Sequence, residues 1–163
     1  MKIPATQPVK VALPKLANNL LETSGIRNTD ARRNVLTMLL GANRALTHLE
    51  VQEDFPSMDR VTLYRTLDCL TEAGLIHKIS GDDRVFRYSA SHEVHTQGAP
   101  QQHQHGHFKC TRCTRVFCLT GTEAPLALQK QLQHSLQATL GNGFQSHEIE
   151  LTIKGWCASC AQT

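Results

Sequence analysis

The sequence predicts an α+β chain in two parts: an N-terminal winged helix-turn-helix and a small α/β domain behind it. Three observations carry this reading. Apolar residues recur at helical spacing through the first part of the chain and then give way to a hairpin pattern. A polar stretch, Ser89–Gln104, with Gly98, Pro100 and several glutamines, breaks the periodicity. Beyond it the composition changes: five of the six cysteines follow residue 109, and five histidines fall between His92 and His107. The expected division is 1–90 for the winged helix, with 1–14 flexible, 91–104 for a hinge, and 105–163 for the second domain.

Taken in order, Thr29–Leu40 reads as a helix capped by Thr29, with Ala31, Val35, Leu36 and Leu39 as its apolar stripe and Gly41 as its stop. Leu46–Phe55 reads as a second short helix, with Thr47 as cap and Pro56 just past the end. Arg60–Ala73 is the third: Asp59 caps it, Leu63, Leu67 and Leu70 face inward, and Gly74 ends it. Leu75–Ile79 and Arg84–Tyr88, parted by Ser80-Gly81-Asp82-Asp83, form the hairpin wing. In the second domain, Phe108–Cys110 and Val116–Leu119 pair as strands around a Cys-x-x-Cys turn. Thr122–Leu140 is a helix ended by Gly141. Ile149, Leu151 and Ile153 alternate with polar residues as a half-buried strand. This domain is small for a monomeric core, which points to pairing with a second copy.

Composition sets the outer limits. A chain of 163 residues with 40% hydrophobic and 19% charged residues can bury a core without disulfides and is not broadly disordered. No apolar run approaches the roughly 18 residues of a membrane helix, and the proline-bearing N-terminus lacks the apolar block of a signal peptide. The expected compartment is cytoplasmic, with no membrane partner. A net charge of +3 does not by itself identify a nucleic-acid partner. Paired carboxylates, a nucleophile with its base and a phosphate-cradling glycine loop are not evident, so an enzyme is not expected.

Cys110-x-x-Cys113 and Cys157-x-x-Cys160 are matching knuckles. Each turn can place two thiolates on one tetrahedral zinc ion, and two turns close the shell. In a reducing compartment this structural zinc is favoured over disulfides; the competing reading is two redox pairs or buried thiols. A closed four-thiolate shell has no open position for catalysis. His103, His105 and His107 alternate, so on an extended strand they share a face and could converge on a metal; the competing reading is a solvated loop. Cys118, between Phe117 and Leu119, reads as a buried thiol, and Cys69 as a packing residue.

The third helix carries Arg60, Thr62, Tyr64 and Arg65 on its outer side. Tyr64 could touch a thymine methyl, and Arg65 a phosphate or a guanine edge. Arg27, Arg32 and Lys15 are candidate phosphate contacts. Any one of these alone suits a solvated face; as a set on the second helix of a helix-turn-helix they suit double-stranded DNA.

These residues also carry a resemblance. Val61-Thr62-Leu63-Tyr64-Arg65-Thr66-Leu67 followed by Gly74-Leu75-Ile76 resembles the recognition helix of the ferric uptake regulator family. So do Thr29-x-x-Arg32-x-x-Val35-Leu36, His105-x-His107-x-x-Cys110-x-x-Cys113, Gly143-Phe144 and Gly155-x-Cys157-x-x-Cys160, in order across residues 25–160. The resemblance implies a dimeric, metal-dependent transcription factor, usually a repressor, with a winged helix and a C-terminal α/β dimerisation domain. Leu75-Ile76-His77-Lys78 resembles the zinc uptake branch, which implies His77 as a ligand of a second, regulatory zinc, with His103 and Cys118 at two further ligand positions. Cys118 stands where that branch has an acidic residue, and Ser89 where it has a fourth ligand, so His105, His107 or His92 are the alternates. Ala45 stands where the iron and peroxide branches have a histidine. Thr114 replaces a glycine after the first knuckle, a minor change for its turn. His147 and Glu148 lie one position out of register with a further ligand region.

The expectation is one structural and one regulatory zinc per chain, the latter fixing the angle between domains so that a homodimer grips a palindromic, AT-rich operator. Peroxide sensing, iron or manganese response, and zinc storage are the alternatives.

Overall fold

A computed structural model describes residues 12–81, 83–91, 106–119, 126–144 and 151–162. The chain divides into two units, Met1–Ala99 and Pro100–Thr163. Among the described residues no helix is long and apolar enough to cross a membrane.

Among its described residues the first unit has four helices, one more than the periodicity predicted. α1 (Leu13–Thr23) opens with a proline in its first turn, where the missing N–H costs nothing. It buries Ala17, Leu20 and Leu21 in the core that also takes Val35, Leu36 and Leu39 of α2 (Asp30–Gly41). Leu13 and Pro14, expected to be flexible, are its first turn. Thr29 caps α2 as expected, accepting from the Arg32 N–H. Leu46–Thr47 is a short strand, β1, not the start of a helix, and α3 (His48–Asp54) begins after it. The expected cap Thr47 holds: its hydroxyl accepts from the Glu50 N–H (3.2 Å) while Glu50 accepts from the Thr47 N–H (2.8 Å). This reciprocal pair satisfies two otherwise orphaned donors.

α4 (Arg60–Glu72) follows, capped by Asp59, with Leu63, Thr66, Leu67 and Leu70 buried. It ends in a Schellman motif. Gly74, at φ +70°, donates to the Thr71 carbonyl, and Leu75 donates to that of Leu70. The left-handed residue there favours glycine, and the Leu70 and Leu75 side chains, both buried, close the motif. Each fully buried leucine contributes roughly 1.5–3 kcal/mol, so six such side chains on α1, α2 and α4 dominate this unit.

The wing is β2 (Ile76–Ile79) antiparallel to β3 (Arg87–Ala90), with β1 on the other side of β3. The second wing strand was expected at Arg84–Tyr88 and lies further on. Arg84 is in the left-handed region at φ +58°, and a part-buried Arg87–Asp83 ion pair at 2.7 Å closes the turn before the strand. The central strand β3 is buried at all four residues, so no alternation marks it. Asp82 lies outside the described residues.

In the second unit β4 (Gly106–Cys110) and β5 (Val116–Leu119) pair antiparallel around the knuckle turn, as the sequence predicts. β6 (Thr152–Gly155) adds parallel to β4, and α6 (Ala158–Ala161) follows Cys157. α5 spans Leu126–Leu140, with Gly141 at φ +89° beyond it; the expected first turn from Thr122 lies outside the described residues, as do Ile149, His147 and Glu148. The alternating strand was expected to be half-buried. Within one chain Leu151 and Ile153 are instead 40% and 50% exposed.

Candidate metal and nucleic-acid sites

The first knuckle is the turn between β4 and β5, and the second joins β6 to α6. The parallel register sets Cys110 beside Gly155, so the chain leaving β6 delivers Cys157 and Cys160 to the first pair. The Thr111 N–H donates to the Gly155 carbonyl at 2.8 Å and the Cys157 N–H to the Cys110 sulfur at 3.3 Å. The four sulfurs all lie within 4.8 Å of one another. Cys113 and Cys157 sulfurs are 3.7 Å apart, far beyond the roughly 2.05 Å of a disulfide. Tetrahedral zinc with bonds of about 2.3 Å spaces its sulfurs by about 3.8 Å, so this donor set fits such an ion.

Electrostatics gives the same answer. N–H groups of Cys113 and then Cys157 stabilise the Cys110 thiolate and lower its pKa to about 6. Cys160 is pushed up to about 12, first by its hydrogen bond with Cys157 and then by burial. Bare, the cluster favours a thiolate at Cys110 and resists one at Cys160; a divalent cation removes that resistance. Arg112, between the knuckle cysteines, donates to the Cys160 carbonyl at 2.7 Å and lays its guanidinium 4.4 Å from the centre of the Trp156 ring, bracing one knuckle on the other. Thr114 has φ +58°. Its replacement of glycine is thus not minor, because a β-branched side chain in that region is strained.

His77 lies in β2, 3% exposed, directly across from Ser89 on β3. In the second unit the register sets His107 across from Cys118, and their ligand atoms lie within 4.8 Å of each other. His107, an alternate in the sequence reading, is therefore the histidine beside Cys118. Cys118 is half-buried, less enclosed than its apolar neighbours suggested. His92, His103 and His105 lie outside the described residues. Cys69 is half-buried on α4.

On α4, Arg60, Tyr64 and Arg65 are exposed. Thr62 is half-buried and engaged in the cap: its N–H and hydroxyl both donate to Asp59, at 2.9 and 2.6 Å. Its neighbour Val61, 58% exposed, takes the outer face instead. Arg27 and Lys15 are exposed, while Arg32 is half-buried and donates to the Arg27 carbonyl at 2.8 Å, so it orders the turn before α2. Sequence reasoning missed His48, whose ring centre lies 5.3 Å from that of Tyr64. Its position at the start of α3 was visible, but its neighbour on α4 was not.

A model of the ferric uptake regulator family matches residues 23–153 of this chain. The chain belongs to the ferric uptake regulator family. It is thereby a metal-responsive transcriptional regulator. It is 29% identical over 153 residues to the zinc uptake regulation protein of Escherichia coli, covering 90% of this chain and 80% of that protein. It is 38% identical over 115 residues to the ferric uptake regulation protein of Bacillus subtilis, covering 69% and 67%. A solved structure of a zinc uptake regulator complexed with zinc and DNA shares its fold, with a TM-score of 0.64, 24% identity, and 95% and 97% of the two chains covered. Within the family the regulator resembles the zinc uptake branch.

Proposed function

We propose that this regulator is a zinc-responsive repressor of metal-uptake genes that binds a palindromic, AT-rich operator as a homodimer. Cys110, Cys113, Cys157 and Cys160 hold a structural zinc that supplies folding energy to the second unit. A regulatory zinc is held by His77, His103 and Cys118, with His107 now favoured among the alternates and His92 and His105 kept. Arg60, Tyr64 and Arg65 face DNA from α4, with Arg27 and Lys15 on phosphates and Arg32 and Thr62 ordering the backbone around them.

The observation that carries the sensing part is the His107–Cys118 pair. An imidazole and a thiol with ligand atoms within 4.8 Å, apart from the four-cysteine cluster, form a nitrogen and sulfur donor set. Such donors favour zinc over manganese or magnesium. Homodimer formation is supported by the exposed apolar residues of the second unit, Leu132, Leu140, Phe144, Leu151 and Ile153.

The test is a metal count followed by DNA binding. Two zinc ions per chain, one readily removed, are expected. His77→Ala is expected to keep the structural zinc and the circular dichroism of the parent while losing the zinc dependence of DNA binding. Unchanged zinc dependence would overturn the assignment of His77. The 38% identity to a ferric uptake regulation protein keeps iron as the second reading; DNA binding that responds to ferrous iron and not to zinc would establish it.

A further inference from the structure

We infer that Arg112 is the positioning residue for the fourth zinc ligand: with Trp156 it clasps α6 so that Cys160 stays at the site, and it thereby sets how slowly the four-cysteine site gives up its metal. The inference rests on the structural-zinc reading above and adds the residue that governs retention.

The two knuckles are not equally built. The first is the turn of a hairpin, with β4 and β5 paired on either side of it. The second follows β6 and carries Cys160 in α6, which is a single turn. The N–H groups of Cys160 and Ala161 both donate to the Cys157 carbonyl at 2.9 Å. One helical turn does not hold itself, because nucleation costs more than its first hydrogen bond returns. Cys157 is tied to the first knuckle directly: it is buried, and its N–H donates to the Cys110 sulfur. Thr111 holds the Gly155 carbonyl just before it. Cys160, half-buried, lies beyond both ties.

Arg112 reaches that far. It donates to the Cys160 carbonyl at 2.7 Å, across 48 positions of sequence. A cation on the last carbonyls of a helical turn also meets the negative end of its dipole. The same guanidinium lies 4.4 Å from the centre of the Trp156 ring. That ring is 58% exposed, so it adds little to a core and serves as a platform instead. Arginine can do both at once, since a flat cation stacks by its face and donates in its plane. Four thiolates also carry two more negative charges than a divalent ion cancels, and Arg112 sets a positive charge at the edge of the cluster. Arg115, exposed in the same hairpin, carries the same charge but stands outside the clasp.

The test uses the zinc-loaded, full-length protein and two readouts. The first is zinc transfer to an excess of a chromogenic chelator at neutral pH. The regulatory ion leaves in the fast phase, and the slow phase reports the four-cysteine site. Arg112→Ala should speed the slow phase about tenfold, the combined worth of one hydrogen bond from a charged group and an exposed cation–π contact. Arg112→Lys should recover only part of that loss. Trp156→Phe, with a weaker ring face, should speed release about threefold. Arg115→Ala should stay within about twofold of the parent. The second readout is the order in which iodoacetamide labels the cysteines of the zinc-loaded protein, read by peptide mass. In Arg112→Ala, Cys160 should be labelled ahead of Cys110, Cys113 and Cys157.

An unchanged slow phase in Arg112→Ala, or an equal acceleration in Arg115→Ala, would overturn the clasp. Uniform labelling of the four cysteines in Arg112→Ala would overturn its action at Cys160. If Arg112→Ala retains no zinc, the Arg112→Lys and Trp156→Phe rates decide: parent-like release in both would overturn the clasp. A parent protein with no slowly released zinc would overturn the structural-zinc reading itself, a result distinct from the others.

Discussion

The two units are held together in opposite ways. In the first, Leu21, Leu36, Leu39, Leu63, Leu67 and Leu70 are all at most 2% exposed, and four helices supply one continuous apolar core. In the second, the buried described residues are Gly106, Cys110, Val116 and Cys157, two of which are knuckle cysteines. Several of its larger apolar side chains stay outside: Phe144 and Ile153 are each 50% exposed and Leu140 is 53%, while Phe108 and Phe117 are half-buried against each other. One unit is stabilised by removing hydrocarbon from water. The other leaves its hydrocarbon for a second copy and, on the function proposed above, is held by metal–thiolate bonds at its four knuckle cysteines. A four-thiolate zinc site can in general replace a core that a short segment cannot build.

Removing the metal should break this comparison most sharply. Structural zinc sites contribute on the order of 10 kcal/mol or more. A strong chelator at neutral pH should therefore abolish amide-exchange protection in β4, β5 and β6 while α2 and α4 keep theirs. Equal loss in both units would show that the first unit is not independently held. The converse is Leu67→Ala. It should destabilise the first unit by about 3 kcal/mol in denaturant unfolding, with the metal count per chain unchanged.

Smaller effects sharpen the contrast within each unit. Thr114→Gly relieves a β-branched residue at φ +58°, and should raise the thermal stability of the second unit by about 1 kcal/mol. The mildest is a pH effect in the first unit. Burial raises the Glu50 carboxyl as its largest single influence, but hydrogen bonds from Arg44 and Thr47 together outweigh it, and its pKa lies below 4.5. The stability this carboxylate contributes is present above that unfolded value and is lost as pH falls through the folded one. Glu50→Gln should cost a fraction of a kcal/mol at pH 7. The deficit should shrink in melts taken at pH values that fall through and below the ordinary carboxylate range.

What was legible in the sequence follows the range of the interaction that decides it. Caps at Thr29, Thr47 and Asp59 and the Gly74 stop act within a few residues, and all stand where the pattern set them. The cysteine knuckles were equally plain, because two thiols on one ion require that spacing. α1 was not read, although Ala17, Leu20 and Leu21 share its buried face, because the prolines near it read as a flexible terminus. β1 is two residues long and exists because Leu46 pairs with Tyr88, a partner no local pattern names. His107 opposite Cys118 and His48 against Tyr64 likewise depend on register and packing.

The knuckle brace has a spectroscopic consequence. Trp156 is the chain's one tryptophan, it is 58% exposed, and it adjoins the knuckle cysteine Cys157 with the Arg112 guanidinium over its ring. Excitation selective for indole thus sees the second unit and is blind to the first, which carries both tyrosines and no tryptophan. The protein holds a built-in, label-free optical channel for its cysteine knuckles. Pairing that emission with the far-ultraviolet helix signal, to which helices of both units contribute, lets melting of the second unit be set against that of the whole chain in one cuvette.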